Sequence, residues 1–450
     1  MANLAVVHRA ETTALEAIQK EFAIYRGNGA FGVIELASLQ PNPGARVAPQ
    51  LRIFPRSESN TLLRRYLETL DVAVASPKSV IEEFWVSPAT TVYDSVTFDP
   101  GCKSATTLNL WIGSTSNASP GPWPVIERFL REVICSNDSE LYKYLLNILA
   151  HALQMPSEKP GVILILLGGQ GVGKGTLETL LRRIWSLTTL LVNRVEMIVG
   201  AFNGVMERAF IVFLDEAMFH GDRKSTEALK SIVTSEFITI NEKHQPARQI
   251  PSVHRFFAAS NSNHFAATEH DDRRAVYIPV SGARQGDHNF WDDVHSAIRG
   301  VEAEHFADFL WKRDISSFQP RERPKSRELI RQKILTLSGF DHFWFELLSN
   351  VGPACSEGHR MTPVEWENEQ FLATRTLLDQ YELFTKRTHH YRAVGNHDLS
   401  DALRRLCPSA RSERRKVGGN RQYGYFIPSL EVARAEFEKY IGGNVEWPPD

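Results

Sequence analysis

The chemistry of this chain gathers around Lys174. The lysine sits in GGQGVGKGT (168–176), after an apolar run, Val162–Leu167, and before TLETLLRRIW, which has the spacing of an amphipathic helix. Strand, glycine-rich turn and helix in that order form a phosphate-binding loop, with Gly168 and Gly173 as its fixed glycines and the lysine directly after them. The expected nucleotide contacts are Gly168, Gly169, Gln170, Gly171, Val172, Gly173, Lys174, Gly175 and Thr176. The glycines let backbone N–H groups turn toward phosphate oxygens, and the start of the helix adds a favourable dipole. Lys174 would reach the β- and γ-phosphates of ATP or GTP. One position departs from the pattern. The hydroxyl residue that normally follows the lysine is Gly175, and the hydroxyl comes one step later at Thr176, the expected magnesium contact.

Further along, AFIVFLDEA (209–217) reads as a buried strand ending in two acids. Asp215 is the expected second magnesium contact, and Glu216 is placed to polarise a water for attack on the γ-phosphate. Adjacent acids after a strand otherwise serve a helix N-terminus; the upstream phosphate loop favours the catalytic reading. Arg255–Ala259 is another apolar strand, ending in SNSNH. Asn261, with Asn263 behind it, is positioned to orient the water or sense the γ-phosphate, against the plain role of starting a turn. In DDRRAVYIPV (271–280), Arg273 and Arg274 precede a strand. An arginine there that reaches a neighbouring subunit's phosphate would stabilise charge developing in the transition state. A surface ion pair with Asp271 or Asp272 is the bland alternative. Between the acids and the asparagines, residues 228–250 read as helix, strand, turn and strand, with Lys243 and His244 at a basic hairpin tip.

These elements need a scaffold, and 450 residues with 42% hydrophobic and 23% charged content provide for two or three globular domains. A net charge of -2 excludes a uniformly basic protein but leaves room for one basic groove. The four cysteines are widely separated without CxxC spacing, so neither a zinc site nor a disulfide framework is expected. The N-terminus is too polar for a secretory signal and Val162–Leu167 is too short to span a membrane. A cytoplasmic location, with no membrane partner, is the expectation. Residues 1–114 form a mixed N-terminal region with a helix at Thr12–Phe22, strands at Phe31–Leu36 and Val47–Phe54, and short strands before Trp111. Asp94 and Asp99 read as turn residues there, not metal ligands. Residues 122–158 read as a helical subdomain, 159–300 as the nucleotide core and 310–450 as a C-terminal domain. In the last, helices are expected after Pro324, over 366–386 and at Leu399–Leu406, then strand, Gly-Gly turn, strand and a final helix. Helices followed by a basic hairpin suggest a winged helix, with Arg414, Arg415 and Lys416 as its phosphate contacts. His389, His390 and His397 lack the companions of a metal set.

Together these motifs resemble a superfamily 3 helicase, and more closely the helicase part of phage and mobile-element primase–helicases, the NrS-1 polymerase-like or DUF5906 family. The resemblance rests on VYDSVTFDPG (92–101), LNLWIG (108–113), SELYKYLLNILAHALQMPSEKPG (139–161), GGQGVGKGT, FLDEA (213–217), LKSIVTSEFITINEKH (229–244), ASN (259–261) and DDRR (271–274), in order and spacing. It covers roughly residues 85–340. It implies an α/β fold: an AAA+-like P-loop NTPase core with a helical subdomain before it and a helical, winged-helix-like region after it. It also implies a homo-hexameric ring with ATP and magnesium between subunits, acting on single-stranded or forked DNA. Lys174 and Thr176 fall on phosphate and magnesium, Asp215 on magnesium, Glu216 on the catalytic base, Asn261 on the sensor and Arg273 or Arg274 on the trans-acting finger. Lys243 and His244 fall on a pore hairpin. A full-length relative would carry a primase–polymerase domain ahead of the core; the residues before the match are too few for one, so residues 1–114 read as a remnant of the connecting region and a separate primase or polymerase as a partner. Two other readings stand beside this one: a nucleotide-gated DNA-binding assembly or defence ATPase without unwinding, and a small-molecule phosphotransferase, suggested by GKGT.

Overall fold

The computed structural model describes residues 2–448 except 28, 40–50, 73, 216–222, 244–246, 262–273, 325, 350–353, 358–359, 364–365, 389–394 and 418–419. The chain divides into two compact units, Met1–Asn261 with Arg274–Arg323, and Pro324 onward.

The apolar run before the glycine turn becomes Ile163–Leu167 (β1), buried at every residue. A strand with no polar alternation has to be covered on both faces, and parallel packing between helices achieves that. Lys174–Ile184 (α1) follows, burying Leu177, Leu180, Leu181 and Ile184 at helical spacing. Arg182 and Arg183 in its last turn oppose the negative end of the helix dipole. Next come Thr189–Val192 (β2), Ile211–Asp215 (β3), the hairpin Phe237–Ile240 (β4) and Arg248–Pro251 (β5), then Arg255–Ser260 (β6) and Ala275–Pro279 (β7). Five of these strands form one parallel sheet in the order β7-β1-β6-β3-β2.

That order positions the site. Leu167 is in register with both Ser260 and Pro279, and Asp215 with Ala259. Every strand runs the same way, so the phosphate loop, the acid and the asparagine leave the sheet along a single edge. β6 lies between β1 and β3, which sets Asn261 between the loop and Asp215.

The helices ahead of the core are Pro124–Arg128, continued by a wider π turn through Ile134, and Ser139–Gln154. They are broken where the sequence suggested, at Ser136 and Asn137, whose φ angles are 48° and 61°. Asp138 restarts the helix by accepting from the N–H groups of Glu140 and Leu141 at 2.9 and 3.0 Å.

The N-terminal region differs from the sequence reading. Its first helix spans Ala2–Glu21, longer than expected, and the strand expected at Val47–Phe54 is Ile53–Pro55 among the described residues. Helices Arg56–Thr69 and Pro77–Val86 had not been recognised. The first has only a narrow apolar stripe, Leu63 and Leu67 beside buried Ser59, which gives a weak periodic signal. A small sheet orders Ile53–Pro55, Ala30–Glu35, Phe22–Gly27 and Val92–Tyr93. Its Phe22, Ile24 and Val33 pack with the helices, and Tyr25 and Ile34 join the core around β1.

In the second unit a three-stranded sheet is built from Gln370–Ala373, Asn420–Ile427 and Arg411–Val417. The helix expected over 366–386 begins at Thr374, because 370–373 pair antiparallel with Gly424–Ile427. Helices Asn396–Leu406 and Leu430–Ile441 close over a core that includes Leu399, Leu403, Ile427 and Phe437. Helix, helix and antiparallel hairpin give the winged-helix arrangement read from the sequence.

Candidate nucleotide site

Glycine fixes the shape of the loop at three places for two reasons. Gly171 and Gly173 hold φ of 74° and 103°, the left-handed region that side chains avoid. A Cβ on Gly173 would also stand 2.3 Å from Cη2 of Trp291. Gly168 is needed for close approach: a Cβ there would lie 3.0 Å from the Val280 carbonyl oxygen. α1 starts directly at Lys174 with no capping side chain on Gly173, so its first-turn N–H groups face the loop as an anion seat.

Lys174 is 7% exposed. Its ammonium donates to the carbonyls of Gly168 and Gly169, both at 2.6 Å, and to Oδ1 of Asn261 at 2.5 Å. Two residues chosen separately from the sequence are thus joined directly. Asp215 ends β3, half-buried on the same edge. Thr176 is 9% exposed, and its hydroxyl makes no hydrogen bond among the described residues. A Cβ on Gly175 would meet nothing within 4 Å, so sterics do not demand glycine after the lysine. Glu216, Arg273 and His244 lie outside the described residues, as does Asn263.

Arg274 is at the other end of the sheet. Its carbonyl accepts from the N–H of Ile163 at 2.8 Å, where β1 begins. The five residues of β1 and β7 then run side by side before the phosphate loop. At strand rise this is about 17 Å. Arg274 therefore does not share a sheet edge with the phosphate loop of its own chain.

Lys243 is exposed in the turn between β4 and β5. The foot of that hairpin is tied down. Arg248 reaches Glu207 at 2.6 Å and Glu242 at 3.0 Å, and Asn241 exchanges bonds with Asn203 and donates its side-chain amide to the Ala201 carbonyl. Burial raises the Glu207 carboxyl, and the Arg248 charge works against that rise. Arg414, Arg415 and Lys416 belong to the second unit, exposed on its hairpin opposite Tyr423, Gln422 and Arg421.

Sequence reasoning missed the segment that braces the loop. Gln285 donates to the Gln170 carbonyl at 3.0 Å, and Trp291, seated on Gly173, donates to the Arg284 carbonyl at 2.8 Å. Nothing in the local sequence marks them, since their contacts exist only once β7 lies beside β1. Asp99 has the turn role read for it, accepting from the N–H of Gly101 at 2.8 Å, whereas Asp94 forms an ion pair with Arg26 at 2.6 Å. Among the described residues no group of three or more histidines, cysteines and acids is arranged to hold a metal ion. No described helix is long and apolar enough to cross a membrane.

Residues 166–274 match DUF5906, a family of unknown function. The chain is 25% identical over 259 residues to the DNA primase-polymerase of Nitratiruptor phage NrS-1, which is 54% of this chain and 35% of that relative. It thus spans about a third of the relative's length. Two solved apo structures of the NrS-1 C-terminal region superpose with TM-scores of 0.62 and 0.65 at 16% identity, over 91% of this chain and 97% or 98% of theirs. The chain shares the α/β fold of those structures, built here on a parallel sheet with a P-loop, and the resemblance to the DUF5906 family read from the motifs is borne out.

Proposed function

We propose that this chain is an ATP-driven DNA helicase of phage or mobile-element replication, working as a ring on single-stranded DNA. The observation that carries this reading is the split of the site across the sheet: Lys174, Asn261 and Asp215 on one edge, Arg274 on the other. A phosphate seat whose arginine stands a strand's length away is completed by a neighbour.

ATP phosphates take the place of the Gly168 and Gly169 carbonyls around the Lys174 ammonium, and the loop N–H groups bind the remaining oxygens. Thr176, with its unclaimed hydroxyl, and Asp215 are the residues that would hold magnesium, which would offset the phosphates' negative charge. Asn261, already on Lys174, is placed to turn its amide toward the γ-phosphate or the attacking water. Glu216 accepts the water's proton. Arg273 or Arg274 of the adjacent subunit in a hexamer stabilises charge on the transferring phosphoryl group. Hydrolysis moves the Lys243–His244 hairpins along the strand in the pore, while Arg414, Arg415 and Lys416 hold the phosphates of a forked duplex.

Mixing two inactive variants tests this reading. Arg274→Ala and Arg273→Ala, made singly, identify the finger, and that variant and Glu216→Gln each lose at least about 100-fold in hydrolysis while still binding ATP. Mixed rings regain activity, because some interfaces pair an intact Glu216 with an intact arginine. No recovery despite confirmed subunit exchange, or a monomeric mass with ATP and DNA present, overturns the shared site. DNA-stimulated hydrolysis without unwinding of a fork would assign the chain to a nucleotide-gated DNA-binding assembly instead.

A further inference from the structure

The N-terminal region holds a surface cluster that the motor does not use. Phe31, at the start of its strand, is 49% exposed, and its ring centroid lies 5.5 Å from that of Trp85. The guanidinium of Arg56 sits 3.5 Å from the Trp85 centroid and 5.9 Å from that of Phe31. Trp85 is fixed in turn, its indole N–H donating to Oδ1 of Asn60 at 3.1 Å. Arg56, Asn60 and Arg64 follow at four-residue intervals along the helix Arg56–Thr69, and all three are exposed. Exposed Arg52 stands just before the strand that feeds this helix.

Two features separate this cluster from an ordinary solvated surface. Among the described residues Arg56 forms no ion pair, and its contacts are aromatic. Its guanidinium also sits 3.5 Å from the centroid of an indole that is itself pinned, while Arg56 stays exposed, so a planar cation is held in place at the surface. A flat cation over aromatic rings, continued by a line of arginine charge, matches a stacked nucleobase followed by backbone phosphates.

We propose that Arg56, Phe31 and Trp85 form a stacking platform for single-stranded DNA, with Arg64 and Arg52 on the flanking phosphates. The proposal rests on the helicase reading for its ligand, but it places a DNA contact outside the ring core.

The test uses the full chain with ATP analogue, oligo(dT) and increasing salt. Arg56→Ala and Phe31→Ala weaken oligo(dT) binding by roughly tenfold each, the size of one lost stacking contact. Arg64→Ala lowers the salt slope by about one phosphate, whereas Arg56→Lys keeps the slope and still loses affinity, because the charge remains and the stacking plane does not. Basal hydrolysis without DNA is unchanged in all four. Photocrosslinking with 5-iodouracil-substituted DNA places adducts on the peptides holding Phe31 or Trp85. Wild-type binding that the variants leave unaltered, with crosslinks only elsewhere, overturns the platform and leaves the helicase reading standing. Wild-type protein that binds no single strand overturns both.

Discussion

The two edges of the parallel sheet both bury cations, in opposite service. On the loop edge, Lys174 is caged by two glycine carbonyls and one amide. On the far edge, Lys159 donates to the carbonyls of Ile232 and Ser235 at 2.7 and 2.8 Å and to the Ser252 hydroxyl. That hydroxyl meets Nδ1 of His254 at 3.0 Å, and Nε2–H of His254 donates to the Met206 carbonyl at 2.9 Å. Arg255 donates to the Val253 and Met155 carbonyls and lies 4.9 Å from the Phe210 centroid. Burial lowers Lys159 to about 7, Arg255 to about 9, His254 to about 3 and the neighbouring His151 to about 4. A carbonyl cage is thus not in itself a catalytic feature. The loop carbonyls belong to glycines that a ligand can displace from the lysine; those on the far edge belong to chain segments packed inside the fold, away from the phosphate loop.

The largest separation of the two edges should come from Lys174→Ala. Hydrolysis falls by at least about 100-fold, read as phosphate release, while the thermal midpoint moves by only a few degrees. The converse change, Arg255→Met or Lys159→Met, takes the side-chain donor from buried or part-buried carbonyls, Val253 in the first case and Ile232 and Ser235 in the second. It should cost roughly 2–4 kcal/mol of stability in denaturant titration, with hydrolysis per folded molecule retained.

Titration sharpens the contrast further. His254 and His151 are neutral in the fold, whereas in the unfolded chain they charge near the usual histidine value of about 6.5. The unfolded state therefore takes up protons first, and stability falls as pH drops from about 6.5 toward 4 and 3. Lys159 acts at higher pH with the same sign: stability rises between its folded value of about 7 and its unfolded value. His254→Gln should flatten the acid limb of the denaturation midpoint against pH. The smallest effect is expected from Gly175→Ser, since the added Cβ meets open space. Stability changes by about 0.5 kcal/mol or less, and a hydrolysis rate within about threefold of wild type would show that Thr176 already supplies the needed hydroxyl.

The legible parts were those where one segment carries its own signal. GGQGVGKGT dictated a strand, a strained turn and a helix start, and each appeared within a residue of its expected place. Phe210–Leu214 and Arg255–Ala259 were equally plain, because a fully apolar strand has one fate in a sheet of this kind. Strand order was not legible, so neither was the bond between Lys174 and Asn261, nor the position of Arg274 across the sheet. Trp291 and Gln285 were invisible for the same reason. The helix Arg56–Thr69 was lost because two leucines and a serine bury a face that propensity alone does not announce. Lys159 and His254 gave no sign that they would be sealed inside.

The strand order also sets a timetable for synthesis. β1 leaves the ribosome with five apolar residues, yet both strands that flank it, β6 and β7, are encoded far downstream. Roughly 90 residues of chain separate Ile163 from Arg255. At ~5–20 residues per second, β1 waits on the order of 5–20 s for a neighbour. Throughout that interval Ile163–Leu167 is an unpaired, greasy ribbon with both edges open, the kind of segment that nucleates aggregation. The nascent protein must therefore shelter the strand behind the helices already made, 124–154, or in the hands of a chaperone.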